Sequence, residues 1–390
     1  MMKKIFLFIA LLFSTIAYAG AGLHFEQLSW SEAVQKAKKE RKLIFIDFYT
    51  QWCGPCRAMA DEVFVTRAVG DFYNSHFINL KIDAETPDGA VIAKKYGVSV
   101  YPSFAYIDPT TENLVHFSTS RQDEDIFLYT GAAAISKDKN SVFLYQQDKA
   151  GAQDADFLFN MAYYLSSIYQ RDEADKKFNQ LIQQKGFDLG NPKIWEYYIR
   201  FIKTRQHPLS EELTRNPAKY TTLYGKEAVE DQLYALYRWE RNPGAIMKAP
   251  DFEGRKLLLG KLRFDEVMKT GDYAQAAILA DSMFLQVGNR KKEFCADLDF
   301  LVRVRDENEA MPDAQLALLM KLAQYAAYNV PDRYNGSTHF NYAKLLEYTI
   351  RHNGAQAASL IAKPAGGVTE YTLRPQGLAT KPVRNKVTKK

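Results

Sequence analysis

The sequence predicts an α/β domain followed by an all-α, helical-repeat-like domain. Between Ser29 and Ala134, continuous apolar runs alternate with amphipathic stretches, as in a sheet covered by helices. From about Ser136 onward strand signals nearly vanish and helical periodicity takes over. The length of 390 residues suits two or three folded units, and 24 Phe with 24 Tyr supply large cores.

Residues 1–19 read as a secretory signal peptide. Lys3 and Lys4 precede a mostly apolar run, Ile5 to Ile16, and Ala17-Tyr18-Ala19 offers a small-x-small exit. The run is shorter than the roughly 20 residues a bilayer span needs, and an uncleaved anchor or a buried first helix is the competing reading. The expectation is export: to the periplasm if the source is Gram-negative, otherwise to the exterior.

Residues 20–135 form the α/β domain. Ser29 to Lys42 is amphipathic, with Ser29 as a cap and Trp30, Ala33, Val34 and Ala37 near one face. Leu43 to Tyr49 (LIFIDFY) is an apolar run with one acid, as in a strand buried on both faces. After Gly54-Pro55, Cys56 to Ala68 reads as a helix. Phe77 to Asp83 is a second strand, and Asp88 to Tyr96 a helix stopped by Gly97. Ser103 to Ile107 and Leu114 to Ser118 are short strands about the Asp108-Pro109 turn. Asp123 to Ala134 closes the unit with a helix.

Residues 136–362 form the helical domain. Asp156 to Lys185 gives two helices joined at Gln170-Arg171-Asp172. Further helices are expected over Lys193 to Thr204, Glu227 to Glu240, Gly254 to Lys269, Tyr273 to Val287, Ala314 to Tyr328 and Thr338 to His352. Leu158, Ala162, Leu165, Ala174 and Phe178 fall at tetratricopeptide spacing, so the domain is TPR-like, although no clear 34-residue period runs through it. Residues 363–390 lack apolar periodicity and read as a basic, flexible tail.

Charge narrows the partners. Of the net +5, Lys3 and Lys4 contribute +2 and residues 363–390 contribute +6, which leaves −3 on the body between them. A basic nucleic-acid-binding body is therefore not supported. Only three cysteines are present, Cys53, Cys56 and Cys295, too few for a disulfide-stapled scaffold. Cys295, within KKEFCADLDF, reads as a helical core residue.

Cys53 and Cys56 sit in FIDFYTQWCGPCRAM, where a strand ends and a helix begins. At a helix N-terminus unpaired N–H groups favour an anion, so the first thiol is placed where its thiolate is stabilised. An ordinary thiol near pKa 8.5 is only about 3% ionised at neutral pH, and one near 7 is about half ionised. Two intervening residues let the sulfurs close a small disulfide ring. Cys56, one turn inside, is expected to be the more shielded. The same C-x-x-C could be half a zinc site, but that needs two further ligands, and the six His show no ligand spacing.

These residues resemble the thioredoxin superfamily over about residues 25–134. Trp52-Cys53-Gly54-Pro55-Cys56 matches its active-site motif, Asp47 matches its buried acid, and KYGVSVYPS (Lys95 to Ser103) matches the segment ending in its cis-proline. The stretch Asp61 to Phe77 looks more like the thioredoxin-fold domain of DsbD-type exported reductases. The resemblance implies a thioredoxin fold, a redox-active Cys53–Cys56 disulfide and no metal or other cofactor. Cys53 attacks a substrate disulfide and Cys56 resolves the mixed disulfide. Asp47, its pKa raised by burial, takes the Cys56 proton. The Tyr101-Pro102 bond is cis, and Pro102 leaves neighbouring backbone groups for an extended substrate. Trp52, Gly54, Pro55 and Tyr101 border the substrate. At Asn79 the family often has a Lys, so the surroundings of Asp47 should be less polar.

The Gly-Pro pair between the thiols is that of reducing thioredoxins, whose potential of about −270 mV lies roughly 7 kcal/mol below that of DsbA at about −120 mV. In an oxidising compartment such a domain works as a reductant only if a partner, expected to be a membrane electron donor of DsbD type, keeps re-reducing it. The leading function is an exported thiol–disulfide oxidoreductase that reduces or isomerises disulfides in protein substrates, with the helical domain selecting substrate or partner. The alternative is an interaction protein whose helical domain binds a partner and whose thioredoxin domain is a scaffold or redox-sensitive clamp.

Overall fold

The computed structural model describes residues 22–302, 311–329 and 336–353. The signal-peptide and basic-tail expectations fall outside these residues. Among them, no helix is long and apolar enough to cross a membrane. The chain divides into two compact units: one runs to Glu240 and adds Lys248–Phe252, and the other comprises Arg241–Met247 and the residues from Glu253 onward.

In the first unit, α1 (Trp30–Glu40) starts at a capping box in which Ser29 Oγ accepts the Glu32 N–H and Glu32 Oε2 accepts the Ser29 N–H. Strand β1 (Leu43–Tyr49) follows, then α2 (Gly54–Ala58), which passes into a π-helical turn (Met59–Val63), then α3 (Arg67–His76). Strand β2 (Phe77–Asp83), α4 (Pro87–Lys95), β3 (Ser103–Ile107), β4 (Leu114–Thr119) and α5 (Glu124–Ile135) complete the α/β layer. The sheet order is β2-β1-β3-β4, with β1 parallel to β2 and antiparallel to β3, and β3 antiparallel to β4.

The apolar run of β1 is explained by its pleat, which sends alternate side chains to opposite faces. Ile44, Ile46 and Phe48 enter one core with Ala33, Ile78, Leu80 and Ala105. Phe45 enters another with Met59, Phe64, Tyr73, Phe104 and Phe127. Asp47 shares the face of Phe45, on the side covered by the helix that follows the cysteines.

The single helix expected over Cys56 to Ala68 is two elements. The helical path stops at Phe64, and a new helix starts after Thr66. The break lets α3 pack close to the N-terminal segment: a Cβ on Gly70 would sit 2.3 Å from the Gly22 carbonyl oxygen, so only glycine fits there. Val69 and Tyr73 of α3 are buried.

The same unit continues through α6 (Ser141–Lys149), α7 (Ala155–Ser167), α8 (Arg171–Ile182), α9 (Pro192–Phe201), α10 (Pro208–Arg215), α11 (Pro217–Tyr224) and α12 (Lys226–Tyr237). Buried His116 of β4 anchors the first of these helices: its Nδ1 accepts the Ser141 N–H at 2.8 Å, and Ser141 Oγ accepts the Phe117 N–H at 2.9 Å. Tyr164 on α7 donates to the Phe117 carbonyl at 3.0 Å.

The second unit holds α13 (Pro243–Met247), α14 (Arg255–Thr270), α15 (Tyr273–Gln286), α16 (Lys291–Leu301), α17 (Asp313–Asn329) and α18 (Gly336–Asn353). Its core includes Leu257, Phe264, Ala280, Phe294, Leu316 and Leu322, and the Phe284 and Tyr325 rings stack at 3.8 Å. Helix α16 carries Cys295, as the chain led us to expect; helices α6, α10, α11 and α13 were not expected from periodicity. Three of them begin at a proline that reads as a break in the sequence but occupies the first helical turn, where its missing N–H costs nothing.

Candidate active site

Cys53 ends the loop after β1 and is the N-cap of α2. It is joined to Cys56 in a disulfide, and Cys53 Sγ accepts the Cys56 N–H at 3.1 Å. Helix α2 runs without a break into the π-helical turn, so the first sulfur meets this local N–H at the N-terminal end of one continuous helical path. Pro55, already in the first turn, lacks an N–H that would have had no partner there.

The expected difference in shielding between the two sulfurs is absent. Cys53 is 2% exposed and Cys56 4%. The S–S bond covers one side of each sulfur, and Cys53 Sγ is turned inward to the Cys56 N–H. Gly54 and Pro55 stand exposed between them.

Trp52 is 67% exposed. Its indole N–H donates to Glu85 Oε1 at 2.8 Å, and its ring meets that of Tyr101 edge-on at 6.2 Å. The Tyr101–Pro102 peptide is cis, and Pro102 is buried at the start of β3. The Pro102 carbonyl already accepts the Ser120 N–H at 2.9 Å, so that oxygen is committed to the segment after β4.

Asp47 is 1% exposed, and neither carboxylate oxygen has a hydrogen-bond partner among the described residues. A buried carboxylate without donors favours its proton. Burial accordingly raises the Asp47 pKa to about 7, against the opposing pull of Lys81. Lys81 Nζ lies 3.9 Å from Asp47 Oδ2 and over the Tyr49 ring.

This corrects the expectation drawn from Asn79. Asn79 is buried opposite Phe45, where its amide donates to the His24 carbonyl and to Asn74 Oδ1. The cation arrives two residues later on the same face, because the β1–β2 register sets Lys81 opposite Asp47. Sequence reasoning missed Lys81, Glu85 and the contacts of residues 120–122. The one available signal was parity: positions 79 and 81 share a face of any strand.

Cys295 is buried in α16, and burial pushes its thiol up to about 12. Among the described residues, no group of three or more His, Cys, Asp or Glu is placed to hold a metal ion.

The Thioredoxin-like family model matches residues 25–109. An H-type thioredoxin of Fagopyrum esculentum is 35% identical over 95 residues, covering 24% of this chain and 76% of that protein. Thioredoxin-2 of Pyricularia oryzae is 34% identical over 77 residues, covering 20% of this chain but only 42% of that protein. A solution structure from Bacteroides thetaiotaomicron, provisionally described as a disulphide-isomerase, is 36% identical and covers 30% of this chain and 97% of its own, with a TM-score of 0.28. Through its N-terminal domain the chain belongs to the thioredoxin family, and that domain carries the Cys53–Cys56 pair of a thiol–disulfide oxidoreductase.

Proposed function

We propose that this protein is an exported oxidoreductase that reduces or isomerises disulfides in protein substrates, and that its helical region selects the substrate. In the reduced enzyme the Cys53 thiolate attacks one sulfur of a substrate disulfide. A mixed disulfide forms and one substrate thiolate leaves. Asp47 accepts the Cys56 proton, and the Cys56 thiolate attacks Cys53 Sγ. The second substrate sulfur leaves as a thiolate that is then protonated, and the Cys53–Cys56 disulfide remains. Two electrons pass from enzyme to substrate, so a dithiol donor must restore the enzyme. A membrane donor of DsbD type fits an exported setting.

The observation that carries this reading is the Cys53–Cys56 disulfide at the start of α2, with buried Asp47 on the sheet face that the same helix covers. Export rests on the charged, apolar and small-residue order of residues 1–19. Substrate selection by the helices rests on their continuity with the redox domain within one compact unit.

The test is reduction of insulin by the full chain under a dithiol donor. Cys53→Ser should fall to background. Cys56→Ser should accumulate a mixed disulfide that identifies the substrate by mass spectrometry. Wild-type protein that reduces no disulfide and traps no partner would instead favour the interaction-protein reading.

A further inference from the structure

The first unit contains a cleft of about 620 Å³ that the redox domain does not form alone. One wall is the connection from β4 to α5, with Arg121, Gln122 and Asp123. The other comes from the end of α7, the start of α8, the end of α9 and the turn before α10. Its size lies within the usual range for ligand pockets.

The first wall is built on the redox site. Ser120 N–H donates to the Pro102 carbonyl, Gln122 N–H to Met59 Sδ at 3.3 Å, and Arg121 pairs with Glu62 in the π-helical turn after the cysteines. The buried Gln122 side chain ties the two walls. Its Nε2 donates to Ser118 Oγ and to the Ser167 carbonyl at the end of α7, and its Oε1 accepts from Thr130 Oγ1. Tyr169 closes the junction by donating to the Arg121 carbonyl at 3.0 Å.

The lining is cationic. Arg121, Arg171, Arg200 and Lys203 face Asp123 and Asp175. Arg121 is paired with Glu62, and Arg200 lies 3.8 Å from Asp123 and 3.3 Å from Asp125. The other two cations have no carboxylate within ion-pair distance among the described residues. Arg171 lies against the Tyr169 ring and acts electrostatically on Asp175. Lys203 donates to the neutral oxygens of Ile199 and Gln232 and has its pKa lowered to about 8 by burial and Arg200, against the pull of Asp231. His207 adds no charge at neutral pH, since burial lowers its pKa.

We infer that this cleft binds an acidic stretch of the substrate polypeptide, with Arg171 and Lys203 meeting carboxylates a few residues away from the cystine held at Cys53. The inference rests on the oxidoreductase reading and gives its substrate a chemical character. The fold supplies the link, because the chain segment that borders the cis-proline also forms the cleft wall.

The test uses the full chain and synthetic peptides that share one cystine loop and differ in flanks of glutamate or lysine. The glutamate peptide should be reduced with kcat/KM about fivefold or more above the lysine peptide at low salt, with the gap closing as salt rises. The R171E/K203E double variant should reverse the preference, which a merely misfolded protein cannot do. Measurable but equal rates for the two peptides with wild-type protein, or an unchanged preference in the double variant, would overturn the proposal. A cysteine-free glutamate peptide, followed by fluorescence anisotropy, separates the cleft from the chemistry. It should bind wild-type protein at least about fivefold tighter than R171E/K203E even if no peptide is reduced, a result that would remove the oxidoreductase reading alone. Equal binding would remove the cleft proposal while leaving insulin reduction to stand by itself.

Discussion

Lys81 Nζ stands 3.9 Å from Asp47 Oδ2, directly across the parallel pair β1–β2, and is the charged partner of a carboxyl that otherwise has no donor. The two residues are 34 positions apart, and only sheet register brings them together. Burial raises the proton affinity of Asp47 and Lys81 opposes the rise, so their balance places the acid near neutrality, the range that the proposed proton transfer from Cys56 requires.

Asp47→Asn should slow disulfide reduction by about tenfold to 100-fold near neutral pH, at or below the low end of general acid–base effects. It should also stabilise the oxidised fold at alkaline pH. The folded pKa, about 7, lies above the ordinary value of 3.8, so the stabilising effect of the bound proton is full below pH 3.8 and lost as pH rises through 7. The loss is on the order of 4 kcal/mol. Urea denaturation of wild type and variant across pH 3–9 should show the difference opening over that interval.

Lys81→Gln should move the pH midpoint of substrate reduction in the alkaline direction. Removing the cation takes away the charge that holds the Asp47 pKa down against burial. A plain packing defect would lower the rate without moving the midpoint. The check is stopped-flow reduction of insulin as a function of pH.

His116 should make the fold acid-sensitive. Burial depresses its pKa from 6.5 to about 3, so its contribution is complete above pH 6.5 and lost as pH falls through 3. The loss is on the order of 5 kcal/mol. This slope opposes that of Asp47 where the two intervals overlap. His116→Gln should flatten the acid limb of the stability profile in the same urea series, although loss of the ring acceptor for the Ser141 N–H lowers stability at neutral pH.

Cys295 should resist alkylation in the folded protein. With its thiol pushed up to about 12 it is about 0.01% ionised at pH 8, and an ordinary thiol near 8.5 is about a quarter ionised. Iodoacetamide should label it at least about 1,000-fold more slowly than free cysteine, and mass spectrometry with and without denaturant reads the ratio.

Much of the redox domain is legible in the chain because its signals are local. LIFIDFY is an apolar run broken only by Asp47, and FINLKID places Phe77, Ile78, Leu80 and Ile82 among three polar residues; they form β1 and β2 with the expected ends. Ser29 and Asp123 precede their helices as caps whose side chains accept backbone N–H groups. Helix α3 was hidden because Thr66 and Gly70 interrupt the pattern, and the reason for Gly70 is a distant backbone at Gly22. The shielding of Cys53 was misread because it depends on the disulfide and its inward hydrogen bond, not on position in the helix.

The sequence by itself determined the redox pair, two thiols with two residues between them at a helix start, and marked Asp47, six residues upstream, and Pro102 as its candidate companions. The thiol pair is legible because it depends on residue type and short-range geometry. Tertiary structure alone decided which cation meets Asp47 and which wall accompanies the cis-proline. It also decided that Arg171 and Lys203 share a cleft with Arg121. Those relations join residues tens of positions apart, and strand register and helix packing, to which local periodicity is blind, set them.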